Sequence, residues 1–260
     1  MIWNFFVPTA IISIVLWLLA IILLLKKINK KGISFLLGVV GTLLLLIFII
    51  FYWIDIDRPP MRTMAETRLW YSFLVSLVSL VLFKVYKNKI LFSLGLIMST
   101  VFLIVDILHP EYHGKYLMPA LQSSWFVPHV VVYMIAYAIL AASSLSVIAG
   151  LFTKSDYNNY LIPAMNLVYP GFAFLTVGML LGAFWAKIAW GDYWAWDPKE
   201  TWALLTWLFY LIVIHVQKFL PNKKKLLSNL LVISFVVLLV TWLGIKYLPS
   251  AMQSIHVYGG

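Results

Sequence analysis

Six of the chain's twelve tryptophans fall between Trp185 and Trp207, with Asp192, Asp197, Lys199 and Glu200 set among them. The densest stretch reads Trp190-Gly191-Asp192-Tyr193-Trp194-Ala195-Trp196-Asp197-Pro198-Lys199-Glu200-Thr201-Trp202. Flat aromatic walls with a few fixed polar groups suit a large planar apolar ligand. A belt of interfacial anchors needs only one or two rings per helix end. It accounts for Trp185, Trp202 and Trp207, but not for Trp190, Trp194 and Trp196 interleaved with carboxylates. The ligand site is therefore read as Trp190, Gly191, Tyr193, Trp194, Trp196, Asp197 and Glu200. Asp197-Pro198 is also a helix start, with Asp as N-cap and Pro at the first helical position.

Five histidines add metal chemistry. His129 follows Pro128 at the mouth of one apolar stretch, and His256 lies in the tail after the last one. Two neutral imidazoles flanking an aromatic platform can ligate a haem iron axially. His215 sits inside an apolar stretch, where an ionisable group is costly and points to a pathway or internal site. His109 and His113 read as solvated loop residues. All three arginines, Arg58, Arg62 and Arg68, lie in one connection. Arg62 or Arg68 could clamp paired ligand carboxylates, since guanidinium suits them; Lys187 and Lys199 are rivals. With no cysteine in the chain, a disulfide, a thiol redox motif, a Cys-ligated metal and a covalent c-type haem attachment are excluded.

The elements that must hold these residues are membrane helices. The chain is 63% hydrophobic and 11% charged, whereas a soluble domain carries about a quarter charged residues. Apolar stretches near the roughly 20 residues that cross a bilayer occur at about 5–25, 32–53, 70–86, 90–108, 127–152, 164–188, 201–220 and 226–248. In lipid they must be helices, because every backbone group needs an internal partner. The predicted fold is all-α and polytopic, a single membrane domain over 1–260 with about eight spans. Pro170 is expected to kink the sixth. No basic residue precedes the first span, and Lys26, Lys27, Lys30 and Lys31 follow it, so it reads as a retained helix rather than a cleaved signal.

The positive-inside rule puts that lysine cluster in the cytoplasm and both termini outside. The inner side then collects twelve lysines, and the outer side seven Lys and Arg with eight of the nine carboxylates. A net charge of +10 would point to nucleic acid in a soluble protein. Here the lysines sit in short connections and set topology, so nucleic-acid binding is set aside. Chemical variety gathers outside, where the 189–200 loop, His129 and His256 share one face.

The run WGDYWAWDPKET resembles the WWD signature of membrane haem-handling proteins that build c-type cytochromes. Its ending, Asp-Pro-Lys-Glu-Thr, is most similar to the CcsA (ResC-like) type of system II. Gln122-Ser-Ser-Trp-Phe-Val-Pro-His129-Val and Ser254-Ile-His256-Val-Tyr-Gly resemble the family's two external histidine loops. The resemblance covers about 60–260. It implies that His129 and His256 ligate a non-covalent b-type haem over the WWD segment, and that His215 holds haem on its way outward. It implies presentation of haem at the outer face for covalent attachment to an apocytochrome c bearing Cys-x-x-Cys-His, as a subunit of a haem lyase (cytochrome c synthase). The alternative is a haem transporter or chaperone serving a separate lyase. The family's synthase also has a large external domain and a further transmembrane histidine that this chain lacks. A CcsB (ResB-like) membrane subunit and thiol-reducing proteins are therefore expected partners, in a bacterial cytoplasmic membrane with the active face periplasmic.

Overall fold

Long apolar runs broken by lysine-rich or Pro-rich connections give eight helices in a computed structural model, which describes residues 2–25, 31–61, 63–110, 123, 125–152, 156 and 158–248. They are α1 (Phe6–Leu25), α2 (Lys31–Asp55), α3 (Met64–Tyr86), α4 (Lys89–Leu108), α5 (Phe126–Phe152), α6 (Asn158–Trp190), α7 (Pro198–Phe219) and α8 (Lys224–Leu239). Eight helices among the described residues are long and apolar enough to cross a membrane, as the sequence predicts. The protein is an all-helical, multi-pass membrane protein.

The chain forms two compact units, Met1–Lys115 and Tyr116–Gly260. In the first, each of α1 to α4 packs on its chain neighbour and α4 returns to α1, closing a ring. Trp17, Leu45, Ile49, Phe92 and Leu96 are fully buried within it. Gly41 permits the approach of α1 to α2, since a Cβ there would lie 2.7 Å from Trp17 Nε1. Trp3 stacks on Phe6 at 4.6 Å and meets Tyr52 edge-on at 4.8 Å, fastening the first turn to the end of α2.

Helix α3 begins six residues before the predicted third span. Thr63 caps it in a box with Glu66: Thr63 Oγ1 accepts from Glu66 N at 3.1 Å, and Glu66 Oε2 accepts from Thr63 N at 3.2 Å. Two orphan backbone donors are satisfied in this way. Arg68 therefore stands within the helix, not in the preceding connection, and its charge meets Asp106 of α4 at 2.5 Å, with both side chains buried.

In the second unit α5 and α6 make the most extensive pairing, α8 closes on α5 and α7, and α6 meets α7 more sparingly. Serine hydroxyls of α5 tie it to its neighbours: Ser143 donates to Ala164 O, Ser146 to Tyr160 O and Ser144 to Leu231 O. Such bonds join helices where lipid offers no hydrophobic drive. Helix α6 starts earlier than predicted and runs unbroken through Pro163 and Pro170. At 1.5 Å per residue it is about 50 Å long, against a hydrocarbon core of about 30 Å. Helix α8 passes into a π-helical turn, Val240–Gly244, and a 3-10 turn, Ile245–Tyr247.

Candidate functional site

The aromatic loop is held by the start of α7. Asp197 is the N-cap, Pro198 follows at the first helical position, and Asp197 Oδ1 accepts from Lys199 N at 2.8 Å, as the sequence reading required. Glu200 does more than complete the capping box. Its Oε2 accepts from Ala195 N at 2.8 Å and from Asp197 N at 3.2 Å, with the residue 8% exposed. One carboxylate thus pins the backbone on both sides of Trp196. That residue is left-handed, φ 57°, and its indole is 69% exposed. A bulky residue in this conformation is strained and persists only where its surroundings fix it. At the other end Gly191, φ 94°, closes α6 by donating to Lys187 O at 3.1 Å, a conformation that glycine adopts without cost. Lys187 folds back on the loop: Nζ donates to Gly191 O at 2.6 Å and lies 5.4 Å from the Tyr193 ring centre.

Trp194 meets Trp196 edge-on at 6.0 Å. Its Nε1–H is buried with no hydrogen-bond partner among the described residues. A buried donor without an acceptor is costly, so this indole is suited to a ligand's acceptor.

His129 stands in the first turn of α5, against α6. Its Nδ1 lies 2.8 Å from Gly178 O. A carbonyl can only accept, so Nδ1 carries a proton, and in the neutral ring the lone pair is on Nε2. The ring stacks on Trp185 at 5.5 Å and meets Tyr133 edge-on at 4.8 Å. Trp185 in turn contacts Phe126 at 5.1 Å and Trp190 at 4.7 Å, carrying the aromatic wall from the histidine to the loop. Trp185 is 3% exposed. It is a wall of the histidine seat rather than the interfacial anchor that the sequence reading made it.

His215 lies on an exposed face of α7, its Nδ1 2.8 Å from Leu211 O and its ring 6.1 Å from Phe219. Nearby Tyr169 of α6 donates to Gln217 Oε1 at 2.9 Å. Trp207 is no simple anchor either, since its Nε1 donates to Thr176 Oγ1 of α6 at 2.9 Å. In the first unit Arg58 grips Glu66 with two bonds, 2.7 and 3.0 Å, and Tyr52 donates to the same carboxylate at 3.3 Å. Burial opposes the Arg58 charge, but the hydrogen bond and charge of Glu66 outweigh it and hold the guanidinium above its ordinary value. His109 caps the end of α4. Arg62, His113 and His256 lie outside the described residues.

Reasoning from sequence missed Gly178, Gly182 and Tyr133. Their signal was present: Gly178, Gly182 and Trp185 follow at four and three residues, which puts them on one helix face.

Residues 61–253 match the family model described as Cytochrome C assembly protein. The chain belongs to that family. The match takes in α3 to α8, the aromatic loop, His129 and His215. The chain is 33% identical over 238 residues to the cytochrome c biogenesis protein CcsA of Chlamydomonas reinhardtii, covering 85% of this chain and 66% of that protein, just under two thirds of its length. It is 30% identical over 275 residues to CcsA of Prochlorococcus marinus (strain MIT 9515), covering 91% and 87% of the two chains. It is also 30% identical over 307 residues to CcsA of Guizotia abyssinica, covering 96% and 93%. Membership places the chain in cytochrome c biogenesis, among proteins of the CcsA type.

Proposed function

We propose that the protein binds b-type haem non-covalently and presents it outside the membrane for covalent attachment to apocytochrome c, as one subunit of a haem lyase. The observation that carries the reading is the His129 seat. An imidazole held through Nδ1, which presents Nε2 as its ligating nitrogen in the neutral form, backed by Trp185 and adjoining an aromatic loop, suits haem iron. The Trp194 N–H, without an acceptor among the described residues, fits the same group, since haem brings carboxylate acceptors.

His129 and His256 would hold the haem iron. Trp190, Tyr193, Trp194 and Trp196 would wall the porphyrin, while Asp197 and Glu200 keep the loop in shape. His215 would hold haem on its way outward. When bound, haem supplies the vinyl groups, and each apocytochrome thiol adds across one of them, sulfur to one carbon and hydrogen to the other. The chain's contribution is orientation. The membrane is the bacterial cytoplasmic membrane with the loop periplasmic, supported by the lysine bias. A CcsB-like subunit and thiol-reducing proteins would complete the synthase.

The test is the absorption spectrum of the purified protein. Wild type is expected to show six-coordinate, two-histidine haem. His129→Ala and His256→Ala should each disturb it, with partial recovery on adding imidazole. Unchanged spectra in both variants would overturn the ligand assignment.

A further inference from the structure

Facing residues of α5 and α6 run in one antiparallel register. Phe126 lies opposite Trp185, His129 opposite Gly182, Tyr133 opposite Gly178 and Leu140 opposite Gly171. Each glycine stands where a larger side chain would collide with its partner. A Cβ on Gly182 would lie 2.7 Å from His129 Cε1 and 2.8 Å from Nδ1. A Cβ on Gly178 would lie 2.9 Å from Tyr133 Cδ2.

We infer that the Gly178–Gly182 face of α6 is a positioning element that fixes His129 as an Nε2 ligand, its pose and tautomer set before any metal-bearing ligand arrives. The inference rests on the haem reading above and adds to it the part of the chain that selects the ligating atom. Three observations converge. The Gly178 carbonyl accepts a hydrogen bond from Nδ1 at 2.8 Å. The missing Cβ of Gly182 lets the ring lie against the helix backbone. Trp185 and Tyr133 close on the ring from a face and an edge at 5.5 and 4.8 Å. Turning the imidazole over would put a carbon at the carbonyl and lose the bond. Metal-ligating histidines ordinarily donate their other N–H in this way, which fixes orientation and raises basicity.

Gly182→Ala is the direct test and Gly171→Ala its control. A Cβ at 171 crowds Leu140 at 2.5 Å, in the same helix pair but away from the histidine. The full-length proteins are titrated with haemin in detergent. Gly182→Ala is expected to lose the six-coordinate spectrum as His129→Ala does, to bind about 10–100-fold more weakly, and to recover with added imidazole. Gly171→Ala is expected to keep the wild-type spectrum. A wild-type spectrum in Gly182→Ala, or equal loss in Gly171→Ala, overturns the inference. A second measurement needs neither glycine variant nor haem: ring-nitrogen NMR of isotope-labelled histidine in the unsubstituted protein, assigned by comparison with His129→Ala. It should show Nδ1 protonated and Nε2 not; the opposite tautomer refutes the proposal even if the protein takes up no haem.

Discussion

Glu200 and Trp196 hold opposite ends of one relationship. The carboxylate accepts from Ala195 and Asp197, and the residue between them is forced into the left-handed region with its indole outward. If the carboxylate acts on the backbone, an amide oxygen can take its place, because Gln also serves at the third position of a capping box. Glu200→Gln is therefore expected to keep haem loading near wild type. Glu200→Ala, which strands two N–H groups, should lose loading and about 1–3 kcal/mol of stability, read by thermal unfolding in detergent. Equal losses in the two variants would mean that the charge itself meets the ligand. Trp196→Gly separates strain from binding. It relieves a left-handed backbone that costs roughly 1–2 kcal/mol, so the melting temperature should not fall, while haem loading should. A lowered melting temperature would place the Trp196 indole in the fold rather than in ligand display.

Among the elements, the sequence made the start of α7 legible to the residue, because Asp197-Pro198 is a start signal independent of tertiary context. It misplaced the start of α3 by six residues for the opposite reason. Hydropathy counts Glu66 and Arg68 against a span, yet Glu66 is consumed by the cap and by Arg58, and Arg68 is neutralised by Asp106, thirty-eight residues away. Pairings of that kind depend on how helices meet and leave no local pattern. The same limit hid the role of Trp185, whose neighbour His129 is on another helix. The Arg68–Asp106 pair joins α3 to α4 inside the first unit, and removing one member leaves a buried charge. Arg68→Leu and Asp106→Leu are each expected to destabilise by roughly 3–5 kcal/mol, and the double variant by far less than the sum. Thermal unfolding of the four proteins tests this; additive losses would show that the two charges do not stabilise one another.

At the scale of the whole molecule, orientation decides what the aromatic loop can serve, and the lysine distribution argues it for both units. Lys84, Lys87 and Lys89 flank the α3–α4 connection, while Lys218, Lys223, Lys224 and Lys225 flank α7–α8. Both connections join helices of spanning length, and short basic connections stay cytoplasmic. The ends of α4 and α6 then emerge on the far side. The cysteine-free chain makes this testable without a background thiol. His109, Asp192, Lys87 and Lys223 are all exposed, so a single cysteine at any of them can be reached by a water-soluble label. In intact cells an impermeant maleimide is expected to modify His109→Cys and Asp192→Cys. Lys87→Cys and Lys223→Cys should react only after permeabilisation. Each unit contributes one position to either group, so each is oriented on its own evidence. A reversed pattern in the second unit would put the Trp190–Glu200 loop in the cytoplasm. Haem presented there could not meet an apocytochrome outside, and the proposed function would fall whatever the spectrum of the purified protein.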